Sequence, residues 1–502
     1  MLDRVSQTRQ HVCIPAVPGR TVAQALFEAG FFLGLPLCAG AGVCGQCAVR
    51  FLGPAPRPCP EDYVKFPEAE LDGGWRLACR HSASQAWELE VPVQPAIPGT
   101  ASGLVHSCLG LDLGTTRIKW ASGIPGRPEK EEAAINPQMA AGSEIMSRLA
   151  YAESGLAARE RLHQLAVDFV ETVIQAVQAK DIAVSGHAAM IALLLNQPTH
   201  GLAYAPYHAP WPGGSLVCLR AGLPDVYIPP VLGPFIGADI SAGLGHLCWQ
   251  PDIRYPYILA DLGTNGEFVL AVDNTHFWAT SVPMGPAIEG VGLLCGSPAG
   301  AGVLSHFQLT PHGLHWNNIE PATALSGTGY ISLLAILRRI GLVSVDGHVG
   351  APTSPLARKL AVLGESAWGK TVRITDAVWM AERDIEEFLK VKAGVNVAIQ
   401  ALLRAAGLGL SDIAAVYMAG ALGEYAETHD LFTLGFLPAA FDTRVQVVGN
   451  TSLAGAFRAS YDRTLQDWLA RLPQHVRLVS LVDQPDFATH YVQAMRFAWH
   501  DV

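Results

Sequence analysis

Two stretches of this 502-residue chain repeat one pattern, and the repeat restricts the fold more than any other feature. "CLGLDLGTTRIKWASG" runs an apolar strand into Asp112, turns through Gly114, Thr115 and Thr116, and returns as a second strand. About 150 residues on, "YILADLGTNGEFVLAV" does the same at Asp261, Gly263, Thr264, Asn265, Gly266 and Glu267. A single D-x-G-T turn carries little weight, because Asp and Gly populate ordinary hairpins. Two copies, each set between hydrophobic strands, predict an internal duplication. The alternative is a pair of unrelated hairpins.

A second feature lies upstream. "LCAGAGVCGQC" holds Cys38, Cys44 and Cys47, and Cys79 follows in "WRLACRH". Four thiolates make a full ligand set. The plant-type [2Fe–2S] pattern is C-x4-C-x2-C…C, and this chain has one residue more in the first gap. Gly40, Gly42 and Gly45 suit a loop that wraps closely around a cluster, since glycine tolerates positive φ and close approach. "TVAQALFEAGFFL" before the loop has helical apolar spacing, while "CAVRFL" and "WELEVPV" alternate like strands. That order predicts a small ferredoxin-like β-grasp domain. Unrelated buried cysteines and a structural zinc site are the alternatives. Zinc usually draws two C-x2-4-C pairs, and here one pair is joined by a third cysteine and a distant fourth, which favours the cluster. Cys13 and Cys59 are expected to be spectators.

Length predicts two to four domains. Half of the residues are hydrophobic and 16 % are charged, so a membrane span has to be tested. "IAVSGHAAMIALLLNQ" and "VLGPFIGADISAGLGHLCW" carry His187 or Asp239 and fall short of the roughly 20 apolar residues a span needs. "MLDRVSQTRQ" lacks the apolar core of a secretory signal, so the expectation is a cytoplasmic protein with reduced thiols and no membrane partner. A net charge of −10 without a basic run argues against nucleic acid. No Rossmann G-x-G-x-x-G or flavin motif appears, the match Gly40–Gly45 lying inside the cysteine loop, so an external low-potential electron donor has to charge the cluster.

The paired hairpins resemble the phosphate-binding hairpins of the actin, Hsp70 and sugar-kinase superfamily, in which two duplicated α/β lobes clamp a nucleotide. In that resemblance, turn N–H groups and Thr hydroxyls reach phosphates, and the Asp carboxylates hold a metal through water. It implies ATP and Mg²⁺, with Asp112 and Asp261 facing each other across the cleft and Gly114, Thr115, Thr116, Gly263, Thr264 and Asn265 at the phosphates. Glu267 is the candidate for orienting the attacking water. Gly327 and Gly329 in "ALSGTGYISLLAIL", and Gly420 and Gly423 in "VYMAGALGEY", fall where such a fold places further nucleotide contacts. "ITDAVWMAERDIEEFLKVKAGVNVAIQALLRAAGLG" predicts a long helix with a glycine stop. Its Lys390 and Lys392 either face the nucleotide or solvate the helix, and composition favours solvation.

The combination resembles the reductive activators of corrinoid-dependent enzymes. The family's cluster loop has the five-residue first gap, and its hairpins read D-x-G-T-T and D-x-G-T-N-G-E. Also similar are "NPQMAAGSEIMSRLAYA", "PFIGADISAGL", the Lys392 segment, "LGFLP" and "GNTSLAGA". The fold implied is an α+β ferredoxin-like β-grasp domain (1–94), a linker (95–106), and an α/β actin-like (ribonuclease-H-like) two-lobed ATPase domain, with lobe I at 107–255 and lobe II at 256–502. The activity implied is ATP-dependent one-electron reduction of a Co(II) corrinoid protein of a methyltransferase system to Co(I). Two rivals stay open: a nucleotide-gated electron-transfer or regulatory protein without ATP turnover, and a ferredoxin-containing reductase component. A sugar-kinase-like phosphotransferase leaves the cluster unexplained. The chain departs from the family in three places. Asp112 follows Cys79 too closely for a middle domain between ferredoxin and ATPase, which leaves a homodimer open. Ala421 replaces a glycine, and Ser332 stands where relatives tend to carry Asp. The linker "PVQPAIPGTASG" is expected to let the ferredoxin domain move against the ATPase lobes.

Overall fold

A computed structural model describes residues 8–501 except 43, 94–106, 264, 291, 317–320, 353–354 and 361. The expected linker therefore lies outside the described residues. The chain forms two compact units, Leu2–Ala242 with Ser452–Ala470, and Gly243–Thr451 with Arg471–Val502. Residues 452–470, expected in lobe II, thus belong with the first unit.

The first unit begins with β1 (Arg9–Ile14), α1 (Val22–Glu28), β2 (Ala48–Phe51), α2 (Pro60–Lys65), α3 (Glu68–Asp72), β3 (Trp75–Leu77) and β4 (Trp87–Pro92). The strands make one antiparallel sheet in the order β1-β4-β2-β3. Thr21 starts α1 with a capping box: its Oγ1 accepts from Gln24 N at 3.2 Å, and Gln24 Oε1 accepts from Thr21 N at 2.9 Å. Val22, Ala23, Ala25 and Leu26 of this helix enter the domain's own core with Val49, Leu77, Leu89 and Val91.

Phe27 does not join that core. It packs with Ala141, Tyr151, Ala152, Ala158, Leu162 and Leu165 of the following region. The helix spacing that buries four residues inward leaves Phe27 on another face, where a second hydrophobic surface covers it. The ferredoxin-like domain is therefore docked on the following region. The expectation of a domain moving freely on its linker is corrected accordingly.

That region is a six-stranded sheet of order β7-β6-β5-β8-β10-β9, built from β5 (Cys108–Leu113), β6 (Arg117–Ile124), β7 (Arg127–Ile135), β8 (Asp181–Ser185), β9 (Ser215–Val217) and β10 (Val226–Ile228). β5, β6 and β7 are antiparallel neighbours, while β8 runs parallel to β5, and β10 to β8. The helices α4 (Ile145–Glu153), α5 (Leu156–Val177), α6 (Ala188–Leu194), α7 (His200–Ala203) and α8 (Ala238–Leu247) accompany it.

The second unit repeats the topology. β11 (Tyr257–Leu262), β12 (Asn265–Ala271) and β13 (Phe277–Pro283) form an antiparallel meander. Strand Ala415–Ala419 runs parallel to β11, and Val445–Gly449 parallel to Ala415–Ala419. The third-second-first-fourth order is the same in both sheets, a further strand runs parallel beyond the fourth (β10 in one, Val445–Gly449 in the other), and a long helix precedes the fourth strand in each, α5 in one and Glu382–Ala406 in the other. Gly407 ends the latter at φ 69°, the glycine stop expected there. No helix of the described residues is long and apolar enough to cross a membrane.

Helix Thr451–Tyr461 packs tightly on the first unit through small residues. A Cβ on Gly455 would sit 1.9 Å from the Ala242 carbonyl oxygen, and one on Gly110 2.3 Å from Phe457 N. Backbone on both sides leaves no side chain to give way. Gly455→Ala is expected to lower unfolding free energy by about 1–3 kcal/mol, the usual cost of overpacking; urea denaturation of the full chain checks this, and an unchanged midpoint contradicts it.

Candidate functional site

The cysteine loop is built on positive φ: Gly40 at 92°, Gly42 at 74°, Gly45 at 72°, and Ala39 at 48°. Gly42 has a further reason to be glycine, since a Cβ there would lie 3.0 Å from Glu61 Cγ and 3.2 Å from Arg80 Cδ. Arg80 braces the loop by donating Nη1 to the Gly40 carbonyl at 3.0 Å while pairing with Glu61 at 2.7 Å. Sequence reasoning missed both residues, because their pairing spans the α2 excursion.

The four predicted thiols come together. Cys44 meets Cys38, and Cys79 meets both Cys38 and Cys47. Contact with Cys38, then burial, pushes the Cys44 thiol up; contact with Cys38 and Cys47 does the same to Cys79. Cys47, favoured first by the hydrogen bond from Cys79, is held below the ordinary thiol range. The group alone thus stabilises one thiolate and resists the others. Four thiolates need a cationic centre among them, which the ferric ions of a [2Fe–2S] cluster supply, so the donor set fits.

Cys59 stands apart with Asp62 and His81, their ligand atoms within 4.8 Å of one another. Asp62 is 0 % exposed and accepts from Cys59 N at 2.9 Å, Leu77 N at 2.8 Å and His81 Nε2 at 2.7 Å. Burial raises its carboxyl, but His81 and the two amides more than offset this and bring it to about 2. Its lone pairs serve the α2–β3 junction.

In the first hairpin, Asp112 is the last residue but one of β5, and its Oδ1 accepts from Ser452 Oγ at 3.0 Å. Ser452 Oγ is itself 2.8 Å from Ser185 Oγ. A Cβ on Gly114 would meet the Arg117 carbonyl oxygen at 2.3 Å, so only glycine closes this turn. The turn's carbonyls are tied down within the unit. Gly114 O accepts from Asn136 Nδ2 at 2.8 Å, Thr115 O from Arg148 Nη2 at 2.9 Å, and Thr116 O from Asn136 N at 2.9 Å. Lys119 lies directly opposite Asp112 across the ladder. Ser452, Asn136, Arg148 and Lys119 were not anticipated as site residues; Lys119 had a signal in its hairpin register, and the other three lie in "NPQMAAGSEIMSRLAYA" and "GNTSLAGA", which marked segments without marking roles.

In the second hairpin, Asp261 is directly opposite Glu267, which places both carboxylates on one face. Glu267 is 6 % exposed. Gly263 N donates to Asn265 O at 2.9 Å, closing the turn; Thr264 lies outside the described residues. Gly420, at φ 77°, belongs to this site: a Cβ there would be 2.4 Å from Asp261 Oδ1. Gly423 packs over Met418, a Cβ being 3.2 Å from its carbonyl carbon. The side chain of Ala421 is not among those described.

Gly327 and Gly329 are accounted for by packing. Added Cβ atoms would lie 1.7 Å from Ile288 O and 2.2 Å from Leu304 O, and the Gly329 N–H is held by the Ser326 cap at 3.1 Å. Ser332 is buried and bonds to both backbone polar groups of Phe307, at 3.1 Å and 3.2 Å. The supposed loss of a metal or water contact there is corrected: the hydroxyl pins strand Phe307–Thr310.

Lys392 is also corrected. It is 0 % exposed, and its Nζ donates to the carbonyls of Ala494, at 3.1 Å, and Ala498. It serves the C-terminal segment, not a nucleotide. Asn396 and Gln400 continue the row, bonding with His500. Lys390, two residues earlier, faces away and pairs with Glu386 and Glu387.

This geometry sets two expected outcomes. Cys38→Ser should lose or remodel the cluster, whereas Cys59→Ala keeps it; iron content and the reduced EPR signal check both. Burial first, then the Arg496 charge, lowers Lys392 to about 7, against about 10.4 for a free lysine. Between those values the opened segment binds more protons than the closed one, so closure strengthens as pH rises from 7 toward 10. Hydrogen exchange over 487–501, corrected for intrinsic rates, should show growing protection across that window, and Lys392→Met should flatten it.

Comparison with known proteins agrees with this arrangement. A [2Fe–2S] iron-sulfur cluster binding domain matches residues 5–84, the RACo middle region 107–248, and the C-terminal domain of RACo, an ASKHA domain, 256–502. The RACo middle region thus falls on the stretch expected as lobe I and includes Asp112. The corrinoid activation enzyme RamQ of Eubacterium limosum is 26 % identical over 404 residues, covering 73 % of this chain and 66 % of that one. One component of the Na(+)-translocating NADH-quinone reductase of Chlamydia caviae is 33 % identical over 73 residues, 14 % of this chain and 17 % of that one. The chain thus spans just under two thirds of the first relative and a small part of the second. The fold is similar to that of a solved reductive activator for corrinoid, iron-sulfur protein, with a TM-score of 0.65, 20 % identity and 95 % of each chain covered. With two RACo models matched in tandem behind a [2Fe–2S] domain, the chain belongs to the RACo family.

Proposed function

We propose that this chain passes one electron to a Co(II) corrinoid protein, regenerating Co(I), and that ATP hydrolysis drives the transfer. The observation that carries the reading is the union, in one chain, of a converged four-thiol loop with a duplicated carboxylate-and-glycine hairpin. An electron carrier alone has no use for the second, and a kinase has none for the first. When bound, the cluster supplies a one-electron donor near −400 mV. Each ~59 mV of uphill gap costs a factor of ten, about 1.4 kcal/mol. An acceptor a few hundred millivolts lower leaves a deficit of several kcal/mol, which nucleotide-dependent binding of one state of the partner can offset, up to its differential affinity.

The residue roles follow from the two hairpins. Thr115, Thr116, Thr264 and Asn265 are proposed at the phosphates, with Gly114, Gly263, Gly420 and Gly423 as the glycines that let backbone approach. Asp112 and Asp261 are the proposed carboxylates for Mg²⁺ through water, and Glu267 orients the attacking water. Cys38, Cys44, Cys47 and Cys79 ligate the cluster. The domain parse proposed is 1–94, 107–255 and 256–502, with 452–470 exchanged into the first lobe. The electron comes from an external low-potential donor, and the setting is the cytoplasm, where thiols stay reduced.

The test is anaerobic. Reduced protein mixed with a Co(II) corrinoid protein should generate the Co(I) absorption many-fold faster with MgATP than without, and Asp261→Ala should lose at least tenfold of that gain while keeping the cluster spectrum. Equal rates with and without ATP contradict the reading, and Co(I) formation without ATP turnover favours nucleotide gating instead.

A further inference from the structure

The hydrogen bonds behind the first hairpin do not stop there. Arg148, 0 % exposed, holds Thr115 O at 2.9 Å with Nη2 and reaches Gly142 O at 2.8 Å with the same atom. Its Nε adds a bond to Gly142 O at 3.2 Å, and its Nη1 lies 3.4 Å from Gln138 Oε1. Asn136, 1 % exposed, ties Gly114 O and Thr116 O on one side and accepts from Gln138 N at 2.9 Å on the other. Two buried side chains thus join the turn to the segment 136–142.

That segment is the floor on which the ferredoxin-like domain stands. Ala140 packs against the ferredoxin core, and Ala141 shares a cluster with Phe27. Tyr151, one turn of α4 beyond Arg148, meets Phe27 edge-on with ring centroids 5.6 Å apart and donates its hydroxyl to Glu28 at 3.3 Å. Arg20 closes the edge, pairing with Glu28 at 2.9 Å and donating to Ser154 Oγ at 3.1 Å.

A buried guanidinium and a buried amide cannot be left half-bonded without the desolvation cost of an unpaired polar group. If the Gly114–Thr116 carbonyls shift when the turn closes on a phosphate, Arg148 and Asn136 have to follow, and the 136–142 segment with them. We infer that phosphate occupancy of this turn and docking of the ferredoxin-like domain on the Ala140–Tyr151 surface are one coupled equilibrium, transmitted by Arg148 and Asn136 as positioning residues. This rests on the reading of the turn as phosphate-binding. Coupling of this kind is reciprocal: whatever nucleotide does to docking, docking does to nucleotide affinity by the same factor.

Reciprocity makes the test a binding measurement. Phe27→Ala weakens the dock from the ferredoxin side, and because Phe27 lies outside that domain's own core the cluster spectrum should survive. Increased hydrogen exchange over 145–153 verifies the opening; should it be absent, Phe27→Asp opens the same contact. Calorimetric titration of the full, cluster-loaded chain with a non-hydrolysable MgATP analogue should then show at least a fivefold change in Kd for Phe27→Ala in the parent. In an Asn136→Ala, Arg148→Lys background, which weakens both side-chain links, the same substitution should change Kd less than twofold. An opened dock that leaves Kd within twofold of the parent overturns the coupling, as does an equal effect in both backgrounds. A parent chain that binds no nucleotide overturns the phosphate reading, and the coupling with it.

Discussion

The N-terminal domain is built around four thiols that the fold brings into contact and that resist being ionised together. Cys44 and Cys79 are pushed up and Cys47 down by their neighbours, so the loop is stable as a ligand set only around positive charge. Holding it needs backbone that ordinary residues avoid, which the positive-φ glycines supply, and a brace from outside, supplied by Arg80 and Glu61. Asp62 fixes the strand that carries Cys79 by accepting from Leu77 N. The cost of gathering the thiols is therefore spread across the whole small domain.

The second region solves a different problem with one device used twice. A strand carries a carboxylate one residue before its end, a glycine turn reverses it, and a parallel fourth strand lies beside it. Each copy is then specialised. Asp112 faces Lys119 across its ladder and takes a hydrogen bond from Ser452, while Asp261 faces a second carboxylate, Glu267. The same topology thus offers one turn with a lysine opposite its carboxylate and one with a second carboxylate opposite.

What was legible in the sequence is what depends on neighbours in the chain. Cysteine spacing, the D-x-G-T turns and the long helix with its glycine stop are local patterns, and the structure follows them. Packing partners far along the chain left no such mark. Helical spacing in "VAQALFE" marked α1 as amphipathic but could not tell that Phe27 serves a different surface from Leu26. "NPQMAAGSEIMSRLAYA" carried no visible chemistry, yet Asn136 and Arg148 hold the turn of the first hairpin. Lys392 misled for a related reason. Two residues apart on a helix means opposite faces, so Lys390 solvates while Lys392 is buried on a partner more than 100 residues away. The exchange of 452–470 into the first unit is likewise a matter of tertiary packing around Gly455 and Ala242.

On this account nucleotide acts on docking and on the acceptor, not on the electron donor itself: the bonds of Arg148 lead to the packing of Ala140, Ala141 and Tyr151 against the ferredoxin-like domain, while the loop that carries the thiols is braced by Arg80 and Glu61 of that domain. Potentiometric titration of the isolated protein, followed by EPR with and without MgATP, tests that claim most directly. The expected result is a midpoint that nucleotide leaves within ~30 mV of its starting value, about 0.7 kcal/mol for one electron. A downward shift of more than ~100 mV, roughly 2.3 kcal/mol, would mean that ATP drives the cluster directly, and would contradict it.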